Sequence, residues 1–322
     1  MNEGAVSGRE PWWSRLPPVA GAAVMASAIL SVGLQPAGFE VLSVVALCLA
    51  GALWLLLAAA FATLAVRDRG QWSARADTPP ALTAVAATTV LGVRLALLGW
   101  TAAATLLLVL AAAVWPFLLT GVLRHLRRGA PGAVFLVCVA TEGLAVLAAV
   151  LAPDLGDWPA WTGLVLFVLG LALYVDALVH FDLRQVLTGS GDHWVAGGSP
   201  AISALAASKL AASGVWSGAA RTALETTAFV LLGLSLAWYA VLLPAEALRR
   251  RPAYDIRRWA TVFPLGMTAV AALSTSAATG VAWLDTLGRI LLWIAVAGWL
   301  ITLVALFRSR RRTAGARATS AL

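Results

Sequence analysis

The chain has 322 residues, of which 61% are hydrophobic and only 12% charged, and its net charge is +8. Because soluble proteins carry about a quarter charged residues, this composition excludes an ordinary soluble protein. The apolar stretches run to about 20 residues, the length of a membrane-spanning helix, and lack the alternation of barrel strands. The arginines lie in short polar segments, so the positive charge indicates membrane topology and not a nucleic-acid partner.

Ten membrane spans are predicted in chain order, and short turns between them indicate five helical hairpins. They cover residues 17–35, 40–66, 81–123 (as two helices), 131–152, 158–180, 197–214, 222–247, 257–280 and 283–307. The run 81–123 must turn near Gly99, since one helix of that length would be roughly twice as long as a bilayer core is thick. We therefore predict an all-α integral membrane protein with a domain at 17–307. Residues 1–16 form a cytoplasmic segment, and 308–322 form a basic, unstructured cytoplasmic tail.

The basic residues divide sharply between the two sides of the predicted bundle. With residues 1–16 inside, the cytoplasmic segments contain Arg9, Arg15, Arg67, Arg69, Arg75, Arg124, Arg127, Arg128, Arg184, Arg249, Arg250, Arg251, Arg257, Arg258, Arg308, Arg310, Arg311, Arg312 and Arg317. The opposite side contains Arg221 alone. Since cytoplasmic loops are enriched in basic residues, both termini are predicted to be cytoplasmic. The Ala- and Arg-rich composition and compact loops favour a bacterial inner (plasma) membrane.

The odd-numbered spans are richer in small and hydroxylated residues than spans 2, 4 and 10. Examples are Ser27, Thr88, Ser203 and Thr268, in spans 1, 3, 7 and 9. Such residues either let membrane helices pack closely or line a water-filled path. Close packing is the simpler interpretation of any single hydroxyl, and both interpretations stay open.

Charged residues inside spans are costly and usually face a cavity or a partner. Arg94 and Lys209 lie in the outer halves of odd spans, where they would attract an anion, unless their long side chains extend to the interface. Glu142, near the middle of span 5, either pairs with one of these cations or takes up a proton. Arg289 is expected to reach the outer interface or to pair with Asp285 at i, i+4.

Pro264 follows Phe263 early in span 9. A proline frees a backbone carbonyl and bends a helix, and broken membrane helices tend to border cavities. The Phe263 ring beside such a bend could plug a narrow path, although a phenylalanine packed in the core is the simpler interpretation.

No catalytic signature is present. The sequence has no paired acidic motif for a metal-bound diphosphate, no His-x-x-x-His cluster and no nucleophile elbow, and His125, His180 and His193 are scattered. It also lacks a phosphate-binding loop for ATP. We therefore predict no enzyme activity, no metal site and no cofactor.

Three stretches resemble one family of membrane transporters. They are LPP at 16–18 running into VMAS at 24–27, HWVAGGSPAIS at 193–203, and RWATVFPLGM at 258–267. They are similar to the opening helix, the helix-7 start and the helix-9 signature Trp-Trp-x-x-x-Phe-Pro-x-Gly of the tellurite-resistance/dicarboxylate transporter family. That family includes the plant guard-cell slow anion channels. Where the family has Gly-Thr-Gly in the first helix, this chain has Ala26-Ser27-Ala28.

The resemblance implies five hairpins around a central pore lined by the odd spans, usually in a homotrimer. It implies that Phe263 is the pore-occluding ring, although a ninth helix starting at 257 places Phe263 nearer the cytoplasm than a mid-pore gate. A start near Tyr254 would remove that difference. The implied substrates are anions: chloride, nitrate, C4-dicarboxylates such as malate, sulfite and tellurite.

Three functional hypotheses follow. The leading one is a channel-like conduit for small anions gated by Phe263, because weakly binding walls and nearby cations suit passing anions. The alternative is a proton-coupled exporter of dicarboxylate or sulfite, motivated by Glu142. The third, a membrane-embedded enzyme or structural subunit, has no visible catalytic set behind it.

Overall fold

The computed structural model describes residues 12–249 and 254–319, and every regular element in these ranges is a helix. The helices are α1 (Gly21–Leu34), α2 (Glu40–Arg67), α3 (Arg69–Ala76), α4 (Thr83–Leu97), α5 (Thr101–Arg124), α6 (Leu136–Leu155), α7 (Trp158–His180), α8 (Gln185–Thr188), α9 (Val195–Ala211), α10 (Gly218–Leu248), α11 (Trp259–Thr279) and α12 (Ala282–Thr319). Each helix except the short α3 and α8 overlaps one predicted span, although several extend past its bounds.

Eight helices of the described ranges are long and apolar enough to cross a membrane, so the chain is a multi-pass membrane protein. The other two predicted spans contain α1, with 14 residues, and α9, with 17. Both are shorter than the 18 residues that we take as the minimum for a span. By length and composition, the structure therefore confirms eight of the ten predicted spans.

Two predicted boundaries can be compared with the structure. The apolar run 81–123 divides between α4 and α5 at the predicted turn, where Gly99 has a φ of 78°, a conformation that favours glycine. At the other end of the chain, α12 continues to Thr319. Residues 308–319, predicted to be an unstructured tail, therefore extend the last helix.

Apart from the short α3 and α8, consecutive helices pack in pairs: α1 with α2, α4 with α5, α6 with α7, α9 with α10, and α11 with α12. The first members of the pairs also contact one another in the closed order α1–α4–α6–α9–α11–α1. Short turns join the two helices of each pair, so the partners run antiparallel. The segments that precede the five first members contact one another, so these five helices start at the same end and run parallel. We call these five the inner helices and their partners the outer helices.

Burial separates the two sets. In α4, α6 and α11, between 72% and 94% of the most apolar stretch is buried, against 11% to 33% in the five outer helices. The outer helices expose Leu, Val and Ile side chains around the bundle. Such a surface suits lipid, because an apolar side chain loses nothing in a hydrocarbon environment.

A turn of 3-10 helix precedes each inner helix, and neighbouring turns contact each other at one end of the bundle. The turns are Pro18–Ala20, Pro79–Leu82, Gly132–Phe135, Asp192–Trp194 and Ile256–Arg258. We call this the arginine-rich end, because it holds the segments with most of the arginines. Packing is tight at Gly132, where a Cβ atom would overlap the backbone of Asp192 and His193.

Candidate functional site

A small void lies where the inner helices meet, and all five contribute to its lining. The lining residues are Ile29, Val32, Val90, Val93, Gly143, Val146, Ile202, Leu205 and Met267. The void has a volume of about 10 Å³, close to the minimum that one water molecule needs. Because none of the lining side chains is polar, a water there would also lack hydrogen-bond partners. The axis of the ring is therefore closed and dry at this level.

Phe263 lies near the start of α11 and is 1% exposed. It precedes Met267 by four residues, so it shares the void-facing side of the helix, one turn nearer the arginine-rich end. The next residue, Pro264, packs its ring against Gly198 of α9. Since α11 starts at Trp259 after its 3-10 turn, the helix does not extend to Tyr254, and Phe263 stays near the arginine-rich end.

Indole N–H groups of the outer helices donate hydrogen bonds to hydroxyls of the inner helices. The pairs are Trp54 to Thr88 at 2.8 Å, Trp115 to Thr141 at 2.9 Å, and Trp299 to Ser27 at 3.0 Å. Lipid offers an indole N–H no acceptor, so a tryptophan within a span needs one from the protein. Ser27 and Thr88, predicted to line a pore, instead connect inner helices to outer ones.

The two other predicted pore-lining hydroxyls also point between helices. Ser203 donates to a carboxylate oxygen of Glu142 at 2.8 Å, and the Thr268 hydroxyl lies 3.1 Å from that of Ser235 on α10. Neither residue belongs to the lining of the central void. The structure thus corrects the expected placement of these hydroxyls, because their partners are on neighbouring helices and an apolar bundle favours paired hydroxyls.

Glu142 is fully buried on α6. Its carboxyl group packs against Gly170 of α7, whose missing side chain leaves room for it. One oxygen accepts the Ser203 bond, and the other has no hydrogen-bond partner within the described residues. The predicted pairing with Arg94 or Lys209 is wrong, and the carboxyl group lies between α6, α7 and α9, away from the void.

Arg94 is also fully buried. Its Nη2 lies 2.9 Å from a carboxylate oxygen of Glu40, at the start of α2, and its Nε donates to the hydroxyls of Ser43 at 3.0 Å and Ser31 at 3.2 Å. The structure therefore does not support the expectation that Arg94 attracts an anion, because Glu40 compensates its charge.

Lys209 differs from the other charges inside spans. Within the described ranges it has no ion pair or hydrogen bond, and its side chain is partly exposed. It follows Ile202 by seven residues and Leu205 by four, so it lies on the void-facing side of α9, in the last turn. Arg289, by contrast, pairs with Asp285 at 2.7 Å as predicted.

The site is an apolar constriction, with the Lys209 cation beyond it. The described residues contain no group of three or more His, Cys, Asp or Glu side chains that could hold a metal ion. The sequence interpretation missed the lining itself, since Val, Ile, Leu and Met are ordinary residues of any span. It also missed the indole–hydroxyl pairs, although tryptophans in the middle of spans were a usable signal.

Comparison with known families decides the general identity. The family model described as voltage-dependent anion channel matches residues 15–307. The chain belongs to the voltage-dependent anion channel family. The match covers every inner and outer helix, α12 only up to residue 307, and confirms the slow-anion-channel-like family that the sequence motifs indicated. A comparison with curated protein sequences gives no significant match. The voltage-dependent anion channel family transports anions and is not an enzyme family.

Proposed function

We propose that the five inner and five outer helices form five hairpins around a central anion pore, and that the structure represents its closed state. The observation that supports this is the void at the ring axis, to which each inner helix contributes side chains. Phe263 would close the pore on the arginine-rich side of the void, and the apolar lining would keep it dry. Flux of anions through purified protein in liposomes tests the proposal directly.

The proposed orientation places the arginine-rich end and both termini in the cytoplasm, because basic segments stay on that side of a plasma membrane. A homotrimer is proposed from the family resemblance, and the exposed apolar outer helices suit contacts with lipid or with other copies. Light scattering of the purified protein, corrected for bound detergent, measures the number of copies.

Lys209 supports an anionic substrate through the electrostatics of the ring. The five inner helices are parallel, so their partially positive N-termini meet at the arginine-rich end and their partially negative C-termini at the other. The negative end would repel an anion. Lys209, in the last turn of α9, offsets this potential on the void-facing side and raises the local anion concentration.

Replacing Lys209 by glutamine should reduce anion current about two- to tenfold at low ionic strength, with a smaller effect at high salt, because salt screens the charge. Lys209→Arg should keep most of the current. The matched control is Arg221→Gln, which removes a cation of the same end that is already paired with Glu225. Equal currents for Lys209→Gln and wild type across the salt range would exclude this role.

The substrates proposed are chloride, nitrate, malate, sulfite and tellurite. The void lining provides no hydrogen-bond donor to replace the water around an ion. Anions that lose water easily should therefore pass best, with nitrate and chloride ahead of sulfite and malate. A liposome flux screen with these five anions measures the order.

A proton-coupled exporter is the second candidate, and the buried Glu142 carboxyl with an unpartnered oxygen is the observation that favours it. Its position away from the void favours uncoupled flux. We therefore expect anion flux to be indifferent to an imposed pH gradient, both in wild type and in Glu142→Gln, which keeps an acceptor for Ser203. Flux that follows the gradient in wild type but not in Glu142→Gln would instead establish coupling.

A further inference from the structure

A second cavity lies outside the ring, in a groove between α2 and α5. It has a volume of about 320 Å³ and is far larger than the central void. Leu57 and Phe61 of α2 form one wall, Leu110 and Val114 of α5 form the other, and Ala84 of α4 contributes to the floor. The groove therefore offers a hydrocarbon-like surface next to the lipid-exposed faces of α2 and α5.

The polar side chains of Trp54 and Thr88, deep in the groove, already have partners. Both residues line the groove, and the indole N–H donates to the Thr88 hydroxyl at 2.8 Å. That hydroxyl in turn donates to the backbone carbonyl of Ala84 at 2.7 Å. Since these groups satisfy one another, an apolar chain can occupy the groove without burying an unpaired donor or acceptor.

The end of the groove nearest the arginine-rich end carries positive charge. Arg75 lines the groove there. Its guanidinium donates to the backbone carbonyls of Leu16 at 3.0 Å and Ser14 at 2.5 Å, which holds the segment before α1 across this end. Trp13 lines the groove beside it. Because a guanidinium has five donor hydrogens, Arg75 can also bind an anionic group.

Two further arginines lie at the junction of α2 and α3. Arg67 and Arg69 are exposed, and the Arg67 guanidinium lies 5.2 Å from the centre of the Trp13 ring. Neither they nor Arg75 form an ion pair with an acidic side chain of the described ranges. Asp68, between them in sequence, accepts a hydrogen bond from the backbone N–H of Gln71. Positive charge therefore dominates this part of the surface.

We propose that the groove binds an anionic phospholipid, with one acyl chain between α2 and α5 and the phosphate at Arg67, Arg69 and Arg75. The apolar walls match hydrocarbon, and guanidinium groups bind phosphate oxygens through paired hydrogen bonds. Clustered basic residues next to a span also attract anionic lipid headgroups. A helix from a second copy would fill the groove but would give these arginines no phosphate partner.

The test is native mass spectrometry of the full chain in detergent, titrated with phosphatidylglycerol or with phosphatidylcholine of the same acyl chains. We expect one phosphatidylglycerol per chain, retained about fivefold or more over phosphatidylcholine. The double variant Arg67→Gln/Arg69→Gln should lose this preference. Ala58→Phe, which fills the groove from α2, should reduce retention of both lipids.

The matched control is Arg127→Gln/Arg128→Gln, which removes two exposed arginines between α5 and α6, away from the groove. It should leave lipid retention unchanged, and unfolding temperatures should show that every variant is folded. Equal retention of the two lipids by wild type would overturn the proposal. It would also be overturned if Ala58→Phe left phosphatidylglycerol bound, or if it changed the number of copies and not lipid retention.

Discussion

Replacing Phe263 by alanine should raise chloride conductance in planar bilayers on the order of tenfold, because lowering a barrier by about 1.4 kcal/mol changes a rate tenfold. The side chain is 1% exposed and lies one turn from the central void, on the same side of α11 as Met267. Its removal would widen the closed axis on the arginine-rich side. The apolar lining would still limit the current, because ions enter a dry constriction with difficulty.

The double variant Phe263→Ala/Met267→Ser should therefore conduct more than Phe263→Ala. It places a hydroxyl at the void, where water at present has no polar partner. Met267→Ser alone tests whether the lining is a barrier independent of Phe263.

Phe135→Ala is the matched control for this series. Phe135 is as buried as Phe263, but it packs against Tyr174 and Phe181 and is not part of the void lining. Both phenylalanine substitutions should cost about 3–5 kcal/mol of stability, but only Phe263→Ala should change the current. A folded Phe263→Ala that conducts like wild type, beside a conducting Met267→Ser, would assign the gate to the lining alone.

Gly132→Ala should destabilise the whole bundle. The added methyl group would overlap the backbone of Asp192 and His193, where the 3-10 turns before α6 and α9 meet. Backbone cannot move aside as a side chain can, so the overpacking should cost about 3 kcal/mol or more. We expect a clear fall in the unfolding temperature of the purified protein in detergent.

The control for Gly132→Ala is Gly51→Ala. Gly51 lies in the middle of α2, and a Cβ atom there would have no neighbour within 4 Å. Alanine should be neutral or slightly stabilising at this helical position, because glycine is the weaker helix former. An unfolding temperature for Gly132→Ala as high as that for Gly51→Ala would show that the turns at the arginine-rich end can separate without cost.

The position of the void-lining residues could not be deduced from residue type. Ser27 and Ile29 are two residues apart on α1, yet the serine binds Trp299 of an outer helix and the isoleucine lines the void. Two positions apart on a helix differ by about 200° in direction. A hydroxyl-rich span therefore has a polar side, but its sequence does not state whether that side faces the axis or the outer helices.

The partners of the charged residues within spans could not be deduced from the sequence either. Arg94 was recognisable as a costly charge within a span, but its partner Glu40 lies at the start of another helix. Lys209 and Arg94 look alike in sequence, as cations in the outer halves of odd spans. Only the packing separates them, since Arg94 is compensated by a carboxylate, whereas Lys209 has no such partner among the described residues.

The sequence by itself determined the membrane class, the turn at Gly99, the arginine distribution and the family, because each depends on local hydrophobicity, charge or a short motif. The tertiary structure alone decided which sides of the inner helices meet. In a soluble protein the hydrophobic side of a helix marks the core, but in a membrane lipid and core are both apolar. Hydrophobicity therefore does not distinguish the side that lines the axis from the side that faces a neighbouring helix.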